Sequence, residues 1–368
     1  MSRVLEAAGL HEVLVHTGQH FDDDMSSVFF RELGLRPPHY ELGINGGSHG
    51  QMTGRMLERV EEVILREQPS AVLVYGDTNS TLAGALAAAK VPVPAVHVEA
   101  GLRSFRRAMP EEVNRVLTDH VSSLLCCSSR TSVDHLRREG FQGLVGDGAL
   151  VTGDEPLPGR APWVANVGDV MFDVQIRARD LAAARSTVRE QLGVRPGDYA
   201  VLTIHRAENT TSVDALTRLL DPVTKLAARM PVVFALHPRT EALLRAGDAY
   251  ERLAASPGMV LTRPLPYLDF LHLQAGARAI LTDSGGMQKE AFWLRVPCLT
   301  LRDETEWPET TAGGWNRIMG SAPGDLGAAL DLTPDPATDI GVFGRGDAAE
   351  RIVRLLGSFC AGDRVRAF

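Results

Sequence analysis

Short apolar runs alternate with amphipathic stretches along the whole chain. Residues 12–16, 71–75, 95–98, 124–127, 199–204, 232–236, 259–262, 279–281 and 297–301 read as strands. Between them, residues 51–66, 81–90, 213–229 and 286–294 read as helices; in the first, Met52, Met56, Val60 and Val63 recur at helical spacing. Strand–helix alternation of this kind predicts parallel sheets with helices on both faces. In such sheets ligands sit at the carboxyl ends of the strands.

Residues 140–167 break the rhythm. Six glycines and three prolines with no period mark a surface excursion that runs into an interdomain linker. The expected architecture is α/β: two Rossmann-like domains facing a cleft, residues 1–165 and 166–350. A tail, residues 351–368, is helical in pattern and returns toward the first domain. Each half carries a strand followed by an acidic, small-residue turn. These are Tyr75-Gly76-Asp77-Thr78 and Thr282-Asp283-Ser284-Gly285.

Composition narrows the partners. A chain of 368 residues has core enough for two domains. A net charge of −8 argues against nucleic acid or an anionic membrane as the main partner. Mean hydropathy is −0.05 and no segment is apolar enough to span a bilayer, so the cytoplasm is the expected location. Cys126, Cys127, Cys298 and Cys360 show no metal-ligand spacing and read as reduced thiols; no metal is expected.

The glycine turn is the strongest single signal. The strand at 279–281 runs into Asp283-Ser284-Gly285-Gly286 and then a helical pattern. Glycines admit close approach of a ligand, and the free N–H groups and dipole of a helix start favour a phosphate. Ser-Gly-Gly also occurs in α/β turns for steric reasons alone, so both readings stand for this segment. Glu290 follows one turn in, where a carboxylate can accept ribose hydroxyls. Strands 199–204 and 232–236 end in His205-Arg206 and His237-Pro238-Arg239, which suggests an anion site at the same sheet edge. Residues 302–309 form an acidic loop beside them.

In the first half, the strand at 95–98 delivers Glu99. A carboxylate leaving a buried strand is expensive unless paired or used. Pro110 opens a helix whose first turn holds Glu111 and Glu112. Glu112 reads as a surface residue compensating the helix dipole, Glu111 as a candidate for chemistry. Arg115, four residues on, is placed to pair with Glu111. Asp77 or Thr78 is placed to cap the helix beginning near Ser80.

Together these segments resemble the non-hydrolysing UDP-N-acetylglucosamine 2-epimerase family. The stretches that carry the resemblance are Thr17-Gly18-Gln19-His20, Gly76-Asp77-Thr78, His97 through Arg103, Pro110 through Arg115, His205-Arg206, Leu281 through Glu290 and Arg302 through Glu306. They occur in family order over most of the chain. The resemblance implies a glycosyltransferase-B-like pair of domains with UDP on the second. His205 and the Ser284-Gly285-Gly286 turn would hold the diphosphate, with Arg206, His237 and Arg302 nearby. Glu290 would take the ribose and Phe270 would lie near uracil. Asp77, Glu99 and Glu111, with Arg115, would face the sugar. The reaction implied is inversion of carbon 2 by elimination and re-addition of UDP through a glycal, without cofactor. The partner is UDP-GlcNAc or a related UDP-sugar, including a diacetamido-uronate nucleotide, and the family suggests a homodimer.

The sequence departs from the family pattern in three places. The opening strand and its arginine-bearing loop do not occur in this sequence, so either the true start lies upstream of Met1 or the first domain is expected to lack that strand. Net hydrolysis of UDP-GlcNAc therefore stays open, as do a glycosyltransferase of the same fold and an inactive UDP-sugar binder. Trp307 stands where many members carry arginine. Asp22, Asp23 and Asp24 stand near where regulated members keep a glutamine, so a second, regulatory UDP-sugar site is not expected.

Overall fold

The computed structural model describes residues 1–19, 32, 34–206, 208–331 and 333–361. The segment 22–24 and His20 therefore lie outside the described residues. Two compact units result: Met1–Val174 with Gly341–Phe368, and Gln175–Ile340. The division falls after Val174, and the chain returns to the first unit at Gly341. Both units are α/β on wholly parallel sheets, the glycosyltransferase-B-like class. Among the described residues no helix is long and apolar enough to cross a membrane. No metal-holding group of His, Cys, Asp or Glu occurs among them either.

The first unit is built on a five-stranded parallel sheet. Its strands are β3 (Val72–Tyr75), β4 (Ala95–Ala100), β5 (Leu124–Cys127), β6 (Gly143–Leu144) and β7 (Trp163–Asn166), in the order β3-β4-β5-β7-β6. Strands β1 (Val15–His16) and β2 (Tyr40–Glu41) pair with each other in a separate two-stranded sheet. Residues 140–167 are thus not only a surface excursion. They supply β6 and β7, and every residue of β7 is buried. At four residues, β7 is too short to stand out against its proline- and glycine-rich flanks. Val96, Val98, Leu124, Cys126 and Trp163 pack with Ile352, Leu355, Leu356 and Phe359 of the helix Ala348–Ala361. Helices α1 (His49–Glu67), α2 (Asn79–Lys90) and α3 (Pro110–Val121) flank the sheet. The alanine-rich face of α2 lets it press onto β3; a Cβ on Gly84 would lie 2.9 Å from Val74 Cγ1.

In the second unit six parallel strands take the order β10-β9-β8-β11-β12-β13. These are β8 (Ala200–Thr203), β9 (Val232–Ala235), β10 (Met259–Thr262), β11 (Ala279–Thr282), β12 (Cys298–Thr300) and β13 (Asn316–Ile318). Chain order reverses between β8 and β11, which sit side by side in register. Loops leaving two such strands diverge to opposite faces and open a crevice at the carboxyl edge. Helices α4 (Tyr267–Ala275) and α5 (Gly285–Leu294) pack against each other beside that edge.

Candidate active site

The switch point of the second unit is where the sequence put its glycine turn. β11 ends at Thr282, and Thr282 Oγ1 accepts from Ser284 N at 3.0 Å, fixing the turn. α5 then starts at Gly285 without a side-chain cap from Ser284, its N-cap residue. A Cβ on Gly285 would stand 3.1 Å from Trp307 Nε1, while around Gly286 the space is open. Trp307 is itself buried, with the Lys289 ammonium 3.7 Å over its ring.

Asp283 gathers the neighbouring strand end onto this turn. Its fully buried carboxylate accepts from His205 N (3.1 Å), Arg206 N (2.9 Å) and Asn209 Nδ2 (3.0 Å). His205 Nδ1 lies 3.4 Å from Asp283 Oδ1, and the His237 ring stands 5.8 Å from that of His205. His237 also caps the helix after β9 through Arg239 N. Burial holds His205 below the usual histidine range against the pull of Asp283, and Arg206, His237 and Arg302 push the same way as burial. Arg206 Nε is buried and has no hydrogen-bond partner among the described residues.

Arg302 is not turned to open space. It is buried and donates to Glu208 (2.9 Å) and to both oxygens of Glu306 (2.9 and 3.1 Å). Glu306, in the acidic loop that leaves this strand end, is buried with it, and Arg302 holds its carboxyl below the usual range in spite of that burial. Glu290 sits farther along α5, where burial pushes its carboxyl up. Gln274 Nε2 of α4 donates to it at 2.9 Å. Phe270, also on α4, packs partly buried among residues that include Met287 and Ala291.

The first unit brings its carboxylates to one sheet edge. β3 runs into Gly76 at φ +66° and then Asp77. Thr78, not Asp77, caps α2, in a reciprocal box with Thr81. That leaves the Asp77 carboxylate to Arg115, with which it forms a short hydrogen-bonded ion pair. Glu99 sits at a bulge in β4, where the register against β5 shifts, and its φ is +74°. A left-handed non-glycine residue costs about 1–3 kcal/mol and persists at functional sites. Glu99 is the one residue of β4 that is not buried.

α3 is amphipathic the wrong way round. Glu112, Asn114, Arg115, Thr118 and Asp119 are buried, while Val113 and Leu117 are exposed. Glu112 is therefore no surface residue. It accepts from Ser104 N (2.9 Å), Ser104 Oγ (3.0 Å) and Phe105 N (2.9 Å), and it pairs with Arg115 at 2.8 Å. These bonds and the Arg115 charge hold it below the usual carboxylate range although burial pulls upward. The partners found for Arg115 are thus Glu112 and Asp77 rather than the Glu111 expected from i,i+4 spacing. Glu111 is half-buried in the first turn of α3. Asn114 Nδ2 donates to Asp77 O at 3.0 Å and ties α3 to the β3 turn.

Buried polar residues left out of the candidate site in the sequence are Glu112, His97 and Asp119. A signal existed: Glu112, Arg115 and Asp119 fall at i, i+3 and i+7, one face of one helix, and all three are charged.

Two parallel-sheet units, one with an uncapped glycine helix start at its switch point and one with carboxylates gathered at its strand ends, define a glycosyltransferase-B-like protein. The chain belongs to the UDP-N-acetylglucosamine 2-epimerase family, whose model matches residues 3–357. It is 44% identical over 356 residues to the UDP-2,3-diacetamido-2,3-dideoxy-D-glucuronate 2-epimerase of Pseudomonas aeruginosa, covering 96% of this chain and 93% of that one. A UDP-N-acetylglucosamine 2-epimerase of Methanocaldococcus jannaschii is 38% identical, with 96% and 93% covered. Among solved structures, the M. jannaschii UDP-GlcNAc 2-epimerase in complex with UDP-GlcNAc and UDP superposes with a TM-score of 0.85 at 38% identity, covering 96% of this chain and 94% of that one. The Neisseria meningitidis enzyme bound to UDP-GlcNAc superposes at 0.79 and 25% identity, covering 97% and 95%.

Proposed function

We propose that this chain inverts carbon 2 of UDP-GlcNAc, giving UDP-ManNAc, by eliminating UDP and adding it back. The observation that carries the reading is Glu99, a half-buried acidic residue on a strained bulge at the end of a buried strand.

The proton on carbon 2 has no adjacent carbonyl to acidify it. Its removal becomes feasible if the bond from carbon 1 to the UDP oxygen breaks as the proton leaves, giving 2-acetamidoglucal and UDP. Return requires a proton delivered to carbon 2 from the other face and attack of UDP on carbon 1. Proton transfer on two faces needs more than one acid–base group. We assign it to Asp77, Glu99 and Glu111 collectively, with Arg115 fixing Asp77. The departing diphosphate needs donors set where its charge grows. His205, Arg206, His237 and the N–H groups of Ser284, Gly285 and Gly286 supply them. Glu290 takes the ribose and Phe270 lies by the uracil. Arg302 acts through Glu306 and Glu208, holding the β12 loop beside the turn. The proposal places the enzyme in the cytoplasm as a homodimer, without cofactor.

A second substrate fits the same frame. The 44% identical P. aeruginosa relative is named for a UDP-2,3-diacetamido-glucuronate, and the chemistry at carbon 2 is the same. Both substrates are tested by adding purified protein separately to UDP-GlcNAc and to UDP-2,3-diacetamido-glucuronate and following the anomeric protons by NMR. UDP-ManNAc is expected to build up from UDP-GlcNAc at the higher kcat/KM. Faster conversion of the uronate would move the assignment to that sugar. No conversion of either would leave a UDP-sugar binder.

A further inference from the structure

We propose that His97 and Asp119 form a buried charged hub that positions Asp77 and Glu99 together, and so act as positioning residues for the proton transfers. This rests on the reading of Asp77 and Glu99 as acid–base groups.

Both side chains are fully buried. His97 Nε2 lies 2.7 Å from the Gly76 carbonyl oxygen, and Nδ1 lies 2.7 Å from Asp119 Oδ1. A carbonyl and a carboxylate only accept, so both ring nitrogens donate and the ring is an imidazolium. Asp119 Oδ2 is 2.7 Å from Arg103 Nη1, and Arg103 is held in turn by Glu139 through two bonds of 2.7 Å. The cluster thus sets two cations against two carboxylates, which is how buried charge is tolerated. His97 and Arg103 hold the Asp119 carboxyl below its usual range although burial pulls upward.

The hub grips backbone on both sides of the site. Through His97 it holds the carbonyl of Gly76, the residue before Asp77. Through Asp119 it accepts the N–H of Gly101 at 3.2 Å, two residues after Glu99. Gly101 has φ +76°, and a Cβ there would meet Ser132 O at 2.4 Å, so the chain past the bulge has no room to drift. One imidazolium–carboxylate pair therefore ties together the two turns that carry Asp77 and Glu99.

The test has two arms. Long-range proton–nitrogen NMR of 15N-histidine-labelled wild type should show a proton on both His97 nitrogens. Asp119→Asn keeps an acceptor for Gly101 N and removes the charge. It should leave KM and UDP affinity within about threefold and lower kcat by about a hundredfold or more. His97→Asn, which keeps a donor toward Asp119 and loses the one toward Gly76, should show the same split and stands in if Asp119→Asn does not fold. A bare nitrogen on wild-type His97 at neutral pH overturns the proposal, and so does a folded variant with kcat within about threefold of wild type. Failure of the wild type to turn over UDP-sugar would instead count against the proposed function, and the NMR arm would still decide the charge of the hub.

Discussion

Glu99→Gln is expected to lower kcat on UDP-GlcNAc by about a thousandfold or more, at the upper part of the range for loss of a general acid–base group. The substitution keeps size and shape, so the bulge and its φ of +74° are retained. What is lost is the ability to take or give a proton. The groups assigned to UDP belong to the second unit, Gln175–Ile340, so UDP affinity is expected to stay within about twofold, the signature of a contribution made only in the transition state. Calorimetric titration with UDP and a coupled assay for turnover read the two quantities separately. A variant that turns over within about tenfold of wild type would remove Glu99 from the chemistry. One that loses UDP binding in parallel would make Glu99 a binding residue.

His205→Ala carries the second large effect. If His205 stabilises the departing diphosphate, removal should reduce kcat by about a hundred- to a thousandfold, the scale for loss of one preorganised donor. The same residue predicts a proton count. In the free protein His205 lies below its ordinary value of 6.5, chiefly from burial. A diphosphate beside it favours the charged ring and raises that value on binding. Between the lowered free value and the raised bound value, binding must therefore take up a proton, and affinity rises as pH falls through that window. UDP-GlcNAc is the right ligand, because its diphosphate is a diester with no proton of its own to lose near neutrality. Titrating it into Glu99→Gln near pH 6.5 in two buffers of different ionisation heat should show net uptake. Glu99→Gln/His205→Ala should show none. Uptake that survives loss of His205 would assign the proton elsewhere.

Much of this arrangement was readable from the chain itself. Strands such as Leu124–Cys127 and Met259–Thr262 appear where the apolar runs placed them. In a parallel α/β sheet the residues just past each strand lie at one edge, so His205, Asp283 and Ser284 were gathered by strand order alone. What stayed hidden depended on contacts distant in sequence. β7 is legible only once β5 and β6 pair on either side of it. Glu112 looks like any dipole-compensating glutamate until the turn at Ser104 and Phe105 folds onto it. Asp119 stands 22 residues from its partner His97, and no local pattern joins them. Arg302 is expected from the sequence to face the ligand, but its partners Glu208 and Glu306 take up its guanidinium in a buried network.

Turnover of UDP-GlcNAc in heavy water, followed by proton NMR, addresses the central claim most directly. Elimination and re-addition require the original hydrogen on carbon 2 to leave and a solvent hydrogen to return. Deuterium is expected at carbon 2 of both UDP-GlcNAc and UDP-ManNAc, with the two nucleotides reaching equilibrium and little free UDP. UDP-ManNAc formed with its original hydrogen in place would contradict the elimination. Steady release of UDP with free sugar would show hydrolysis in place of epimerisation.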